Sequence, residues 1–505
     1  MRGDRPITFS ADDHSVPPLI SSDAFLGATM TANSSTLQAG LATAQLELQV
    51  QTQLARQRAF FKTGKTRSLS FRRTQLQRLK AAIASATEEV YEALLADLSK
   101  CKTEAYMSEV ALSLGDIEFA LKHLSKWSRP ERVGIPVPFQ PATGKVVAEP
   151  LGVVLIVSPW NYPFHLAIGP LVSAIAAGNC AMVKPSEIAP HTSSLLSQLI
   201  EQTFEPDFVS AVEGGVETSQ ALLAERFDHI FFTGSPAVGK VVMRAAAEHL
   251  TPVTLELGGK SPCLVGRSAN LEVAARRIVW GKAFNAGQTC VAPDYLLVQR
   301  GVKADLMAAI ARAVRELFGE DMAASPDYGR IVSDRHFQRL KHLMDDALSN
   351  GKQVTGGQCD AKSRYMALTV VDEVLASSAV MGEEIFGPIL PVIEFDEIEE
   401  AIAFVNDRPK PLALYLFSTD RREQQLVQSQ TSSGGLCFNE TITQYAIPRL
   451  PFGGVGQSGQ GKAHGKAGFD TFSHYKTVMS KSNWLDLPLR YPPYKNKLRL
   501  LKKLL

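Results

Sequence analysis

LGVVLIVSPWNYPFHLAIGPLVSAIAAGNCAMV, residues 151–183, contains no Asp, Glu, Lys or Arg. A transmembrane helix needs only about 20 apolar residues, so length alone would let this stretch span a bilayer. Its interruptions decide otherwise. Pro159, Pro163 and Pro170 would break such a helix, and Asn161 and His165 would carry polar groups into hydrocarbon. The stretch instead divides into a buried strand (LGVVLIV), a rigid Pro-Trp-Asn-Tyr-Pro loop, a helix over 164–177 and a second buried strand (NCAMVKP).

The alternation continues outward. Downstream come a helix over 191–203, the strand DFVSAVEG, a helix over 217–225, the strand DHIFFTG and a helix over 236–249. Short strands buried on both faces and separated by helices predict a parallel, doubly wound α/β sheet, which binds ligands at the carboxyl ends of its strands. A second series is expected to begin at VTLELGG (253–259) and to run through helices 271–285 and 303–317, DYLLVQR and SRYMALTVV, ending near Phe417. Upstream, apolar residues at helical spacing between about Leu37 and Trp127 predict a helical layer. A Pro-rich joint (134–144) and the strand KVVAEP (145–150) connect that layer to the sheet.

Composition sets the class. At 505 residues the chain has room for roughly three domains, and 45% hydrophobic residues supply their cores. Lys plus Arg (53) nearly balance Asp plus Glu (51), which argues against a broadly basic nucleic-acid binder. No two of the six cysteines are closer than Cys263 and Cys290, so no local CxxC pair or zinc knuckle forms and no metal site is expected. Mostly buried free thiols in a reducing, cytoplasmic setting follow. The first 36 residues read as a solvated, disordered tail, of which those before Met30 are expected to be dispensable or to reflect an upstream start codon.

Four places carry chemistry. Gly234-Ser235-Pro236-Ala237-Val238-Gly239-Lys240-Val241 links a buried strand to a helix, whose N-terminus can meet an anion. It is neither a P-loop, because Val241 cannot hold magnesium, nor a dinucleotide fingerprint, because Pro236 replaces the middle glycine. Taken alone it remains open between an anion site and a plain strand-to-helix turn. Lys184-Pro185-Ser186-Glu187 follows a buried strand, where it is either a ribose-binding pair or a solvated loop. Cys290, in Gly287-Gln288-Thr289-Cys290, can be a reachable, partly ionised thiol or a buried one. Glu256, among apolar residues and glycines in LELGGK, suits a general base of raised pKa, and Asn161 offers an amide donor to an oxyanion.

PWNYP, VKPSE, FTGS with Gly239, LELGGK, GQTC, EEIFGP and PFGGVGQSG occur in this order. Together they closely resemble the aldehyde dehydrogenase superfamily over nearly the whole chain from about residue 40. GQTCVAPDY, HGKAGFDTFSH and LRYPPY look like its class 3 branch, which acts on fatty and aromatic aldehydes. The resemblance implies two doubly wound parallel-sheet domains and a small β oligomerisation element. The cofactor domain would be 37–139 with 151–252, the catalytic domain 253–435, and the bridging strands 140–150 and 468–485.

The resemblance also implies roles. Cys290 attacks the aldehyde, Asn161 holds the oxyanion, and Glu256 activates the water that releases the acid. NAD or NADP would be met by Trp160, Lys184, Ser186, Glu187, Gly234, Ser235, Gly239, Leu257, Glu384 and Phe386. Glu187 disfavours a 2′-phosphate if it faces the ribose, yet class 3 relatives often accept both cofactors, so dual use is expected. Tyr162, Thr289 and Ile442 would shape the pocket of a hydrophobic aldehyde. The alternatives are a catalytically silent protein on this fold, or a CoA-acylating relative, a branch that commonly lacks the glutamate present here as Glu256. A homodimer is expected. The tail RYPPYKNKLRLLKKLL (490–505) carries six basic residues and no acid, with Leu498, Leu501 and Leu505 on one helical face. It reads as a basic amphipathic helix that covers a partner's funnel or touches a membrane surface peripherally, or as a frayed end.

Overall fold

The structure, a computed structural model, describes residues 43–486 and 488–504. By its contacts the chain divides into residues 1–50, described and helical over 43–50, and residues 51–505. The expectations for residues 1–36 lie outside the described residues.

Within 51–505 the stretch that opens the sequence reading folds as its prolines require. Val153–Val157 is a strand whose first four residues are buried, and Cys180–Lys184 is another, buried throughout. Between them His165–Ala177 is a helix that tolerates Pro170 and ends at Gly178 in the left-handed conformation. It packs on helices Leu69–Ser85 and Ala111–Trp127 of the helical layer.

The first sheet has six strands in the order Gly459–Gln460, Val253–Leu257, His229–Gly234, Val153–Val157, Cys180–Lys184, Val209–Ala211. All pairs are parallel except that of Gly459–Gln460. Val253–Leu257 therefore corrects the sequence reading, which placed it at the start of the second series. Its apolar residues extend the first sheet by pairing with His229–Gly234, and the chain crosses to the second sheet only after Gly258 and Gly259. The register sets Glu256 beside Thr233 and Leu257 beside Gly234. One sheet edge thus delivers the Asn161 loop, the Gly234 turn and Glu256 together.

The second sheet runs Lys352–Thr355, Thr369–Asp372, Ile389–Phe395, Tyr295–Gln299, Pro262–Val265, Ala413–Phe417, Gly435–Phe438. It continues past Phe417 because Gly435–Phe438 adds a parallel edge strand. Every residue of Ala413–Phe417 is buried, each large apolar side chain contributing about 1.5–3 kcal/mol by leaving water.

A separate three-stranded antiparallel sheet joins Glu131–Val133, Ala142–Pro150 and Ser473–Lys481. The expected bridging strand at 468–485 is shorter and later, because Gly465–Thr471 is a helix. The tail also differs from expectation. A short 3-10 turn over Pro488–Arg490 ends before Pro492 and Pro493, and among the described residues of the tail the α-helix covers Leu498–Leu504, with Leu498 and Leu500 exposed.

Candidate active site

Cys290 follows the helix Leu271–Ala283 through a turn of unusual backbone. Asn285 and Ala286 have φ of 53° and 51°, a conformation that costs a non-glycine residue about 1–3 kcal/mol and persists only where its surroundings enforce it. Here they do. Asn285 Nδ2 donates to the carbonyls of Asn161 (2.8 Å) and Gln288 (3.1 Å). Gln288 Nε2 donates to the carbonyls of Asn285 and Arg330, each at 3.0 Å, and its Oε1 accepts from Val332 N at 2.9 Å. Gly287 has φ of 76°, and a Cβ there would come within 2.4 Å of the Gly387 carbonyl.

Asn161 is locked to this turn, since its Nδ2 donates to Gln288 O at 3.0 Å. An amide nitrogen carries two hydrogens, so one remains for an oxyanion. The loop is also held from the helical layer. Lys100 Nζ reaches Glu109 Oε1 (2.7 Å) and the Asn161 carbonyl (3.4 Å) and lies 4.3 Å from the Tyr162 ring centre. Glu109 Oε2 accepts from Phe164 N and His165 N. Glu104 Oε1 accepts from Asn285 N at 2.9 Å, its carboxyl pushed up to about 7 by burial. A π-turn over Tyr106–Val110 helps to bury these acids. The sequence reading missed Lys100, Glu104, Glu109 and Asn285; the one available signal was acids interleaved with small residues on an apolar helical face.

Glu256 is 5% exposed, and neither carboxylate oxygen has a hydrogen-bond partner. Burial raises its pKa well above the usual carboxylate range, opposed only by the charge of Lys462. Cys290 is half-buried, and both residues line one cavity. Burial, then the charges of Glu384 and Glu256, push Cys290 up to about 12, so the thiol holds its proton at neutral pH. Its proton must be removed during reaction.

The shared cavity, about 310 Å³, extends from Cys290 to the Gly234 turn. Ser235 caps the helix Pro236–Ala247 there, its hydroxyl accepting from Val238 N. Trp160 and Phe386 meet edge to face at 5.3 Å and, with Leu257, make its apolar wall. Glu384 also lines it, lying so close to Gly258 that a Cβ there would overlap its carboxylate, and is pushed up to about 8 chiefly by burial. His336 and Arg339, which carry no local sequence signal, complete the wall from the helix Asp334–Asn350. Lys184, Ser186, Glu187 and Gly239 lie outside this lining. Lys184 Nζ bonds Glu187 Oε2 at 2.6 Å at the end of its strand. Gly239 lets the helix approach the sheet, because a Cβ there would meet Leu257 Cδ2 at 2.8 Å. An apolar slot joining a helix N-terminus to a thiol and an orphaned carboxylate fits a dinucleotide whose redox end reaches Cys290.

A second cavity, about 200 Å³, opens on the other side of Cys290. Tyr162, Thr289 and Ile442 come together there as expected, with Tyr162 Oη and Thr289 Oγ1 2.6 Å apart. Met107, Leu112, Trp280 and Phe284 make it strongly apolar.

Two clefts converging on one thiol, with an amide donor and a base between them, define an oxidoreductase that works through a covalent thiol adduct. Residues 31–478 match the aldehyde dehydrogenase family, and the chain belongs to it. It oxidises aldehydes to carboxylic acids with NAD or NADP. The chain is 48% identical over 445 residues to 4,4'-diaponeurosporen-aldehyde dehydrogenase of Staphylococcus aureus, covering 88% of this chain and 96% of that one. It is 48% identical over 440 residues to the dimeric NADP-preferring aldehyde dehydrogenase of Rattus norvegicus, covering 87% and 96%. Among solved structures, Staphylococcus aureus AldH in its substrate-bound state is similar at a TM-score of 0.88 and 47% identity, over 90% of this chain and 99% of that one.

Proposed function

We propose that the preferred substrates are hydrophobic aldehydes, medium to long aliphatic or aromatic, and that Cys290, Glu256 and Asn161 carry the reaction. The aldehyde enters the apolar funnel beside Trp280 and Phe284. Glu256 takes the Cys290 proton, and the sulfur bonds the aldehyde carbon. The Asn161 amide and the Cys290 backbone N–H stabilise the oxyanion of the thiohemiacetal. NAD or NADP in the larger cleft supplies the hydride acceptor. Loss of hydride leaves a thioester on Cys290. Glu256 then takes a proton from water as its oxygen bonds the acyl carbon and the carbon–sulfur bond breaks.

The observation that carries this reading is the buried, unpartnered carboxylate of Glu256 on the cavity wall it shares with Cys290. It suits hydrolysis rather than transfer of the acyl group to another thiol. Dual cofactor use is supported by the Lys184–Glu187 ion pair, which offsets the charge that would repel a 2′-phosphate.

The test is a panel of aldehydes from short aliphatic to long-chain and aromatic, run with NAD and with NADP against Glu256→Gln. The reading expects kcat/KM to rise with chain length, and the variant to slow both the burst of reduced cofactor and the steady-state turnover. Full steady-state turnover by the variant would remove Glu256 from its role.

The proposed assembly is a homodimer. Ser473–Lys481 is an edge strand among the described residues, with Met479 and Tyr475 exposed, and such edges are open to pairing. A cytoplasmic setting is supported by the six free cysteines. Among the described residues no helix is long and apolar enough to cross a membrane. The basic segment 490–505 supports peripheral contact with anionic lipid.

A further inference from the structure

The hydrolytic reaction proposed above puts protons on Glu256 twice, first from Cys290 and then from water, and oxidation of an aldehyde to a carboxylate releases two protons per turnover. The Glu256 carboxylate has no hydrogen-bond partner to pass them to. Reactants fill both the cofactor cleft and the aldehyde funnel during catalysis. A third cavity, which none of the steps above uses, touches the same two residues.

This cavity is small, about 50 Å³, and mostly apolar in its lining, with polar residues that include Glu256, Cys290, Tyr445, His165, Asp116 and His464. One water needs about 10–15 Å³ of such space and polar groups to bond, so a short file of waters along these polar residues fits. Tyr445 lines both this cavity and the funnel and so divides them. Its ring meets those of His464 and His165 edge to face, at 4.7 Å and 5.6 Å. At the inner side His165 Nδ1 is 3.1 Å from Ser113 Oγ, and Nε2 is 4.0 Å from Asp116 Oδ2.

His464 is the outer wall. The same side chain borders an open surface basin of about 530 Å³ together with His123, Lys126, Arg449 and Lys466. Its backbone has φ of 70°, rare for a non-glycine residue and typical of positions whose surroundings enforce strain, and its ring stacks on Phe452 at 5.2 Å. Burial keeps the imidazole neutral by lowering it to about 4, so one ring nitrogen accepts a proton while the other releases one.

We propose that this cavity is the proton exit of the enzyme: a file of water leads from the Glu256 carboxylate past Tyr445 to His464, whose imidazole hands protons to the surface basin. The inference rests on Glu256 as the base. In each turnover the proton that Glu256 takes from Cys290 leaves along the water file to a base in bulk solvent, the proton it takes from water returns to the departing Cys290 thiolate, and the acid releases the second proton with the product; no electrons move.

The test follows decay of the Cys290 acyl-enzyme formed from p-nitrophenyl acetate, read by intact mass after quenching, in full-length enzyme. His464→Phe keeps the aromatic stack without a transferable proton and is expected to slow deacylation at least tenfold. It should leave kcat/KM for aldehyde, which does not include deacylation, close to wild type. His464→Ala should slow it similarly and recover with added imidazole, a recovery that loss of structure alone would not give. Gly169→Ala covers the case in which the strained His464 position does not tolerate substitution. Its added methyl sits 3.4 Å from Asp116 Oδ2 and 3.6 Å from His165 Cε1, narrowing the passage without removing a functional group. It should slow deacylation several-fold. Wild-type deacylation in His464→Phe or Gly169→Ala, or slow His464→Ala that imidazole does not restore, overturns the proposal. Glu256→Gln separates the premise: normal deacylation there discards the base itself, whereas a stalled Glu256→Gln beside normal His464 and Gly169 variants discards only the exit.

Discussion

Lys100 Nζ lies 2.7 Å from Glu109 Oε1 with neither side chain exposed, and the pair holds the Asn161 loop from beneath: Lys100 bonds the Asn161 carbonyl and Glu109 caps the following helix through Phe164 N and His165 N. Removing one partner of a buried pair leaves an uncompensated charge, at a cost of about 3–5 kcal/mol. Lys100→Met should lower the midpoint of urea unfolding sharply. The double variant Lys100→Met/Glu109→Gln should recover part of that loss. Both should reduce kcat, because the amide donor loses its fixed place.

Asn161→Ala should reduce kcat by a factor on the order of 10² to 10³, the usual effect of losing one oxyanion donor. An effect confined to KM in steady-state kinetics would contradict this role.

The Cys290 thiol, pushed up to about 12, should react slowly with iodoacetamide at neutral pH in the absence of cofactor. Below that value the thiolate fraction grows about tenfold per pH unit. Alkylation should therefore keep accelerating through pH 10 instead of levelling near pH 9.

Glu256 binds its proton more tightly in the folded enzyme than in the unfolded chain, because burial raises its pKa. Its stabilising contribution is thus fully present below about pH 4 and is lost as pH rises toward the folded value. Glu256→Gln should therefore gain stability relative to wild type at pH 8 and much less at pH 5. Denaturant midpoints at the two pH values would show it; an equal shift at both would count against the raised pKa.

Trp280 and Phe284 pack at a tilt, their ring centres 5.3 Å apart, on the funnel wall. Replacing Trp280 with Ala removes apolar contact of about 1.5–3 kcal/mol, or roughly 10- to 100-fold. The loss in kcat/KM should fall on long-chain aldehydes and spare acetaldehyde. A uniform loss across chain lengths would mean that Trp280 supports the fold instead of the substrate.

Much of this was legible in the chain order. The prolines in 151–183 excluded a membrane helix and dictated strand, loop and helix, and strands such as Cys180–Lys184 and His229–Gly234 declared themselves as short apolar runs. Val253–Leu257 was misplaced because a buried strand carries no mark of the sheet it joins; only pairing with His229–Gly234 assigns it. The leucine spacing of the tail predicts a longer helix than the Leu498–Leu504 that forms, because Pro492 and Pro493 interrupt the backbone ahead of it.

The sequence by itself determined the α/β class and the residue types of the reaction, since periodicity and motif chemistry are properties of neighbours along the chain. Tertiary structure alone decided that Glu256 is orphaned, that the Cys290 proton is held on, and that Lys100 and Glu109 support the Asn161 loop. Those properties depend on desolvation and on charges brought together from distant segments. It also decided that three separate cavities meet at Cys290, because empty space belongs to the packing of elements and has no signature in any one of them.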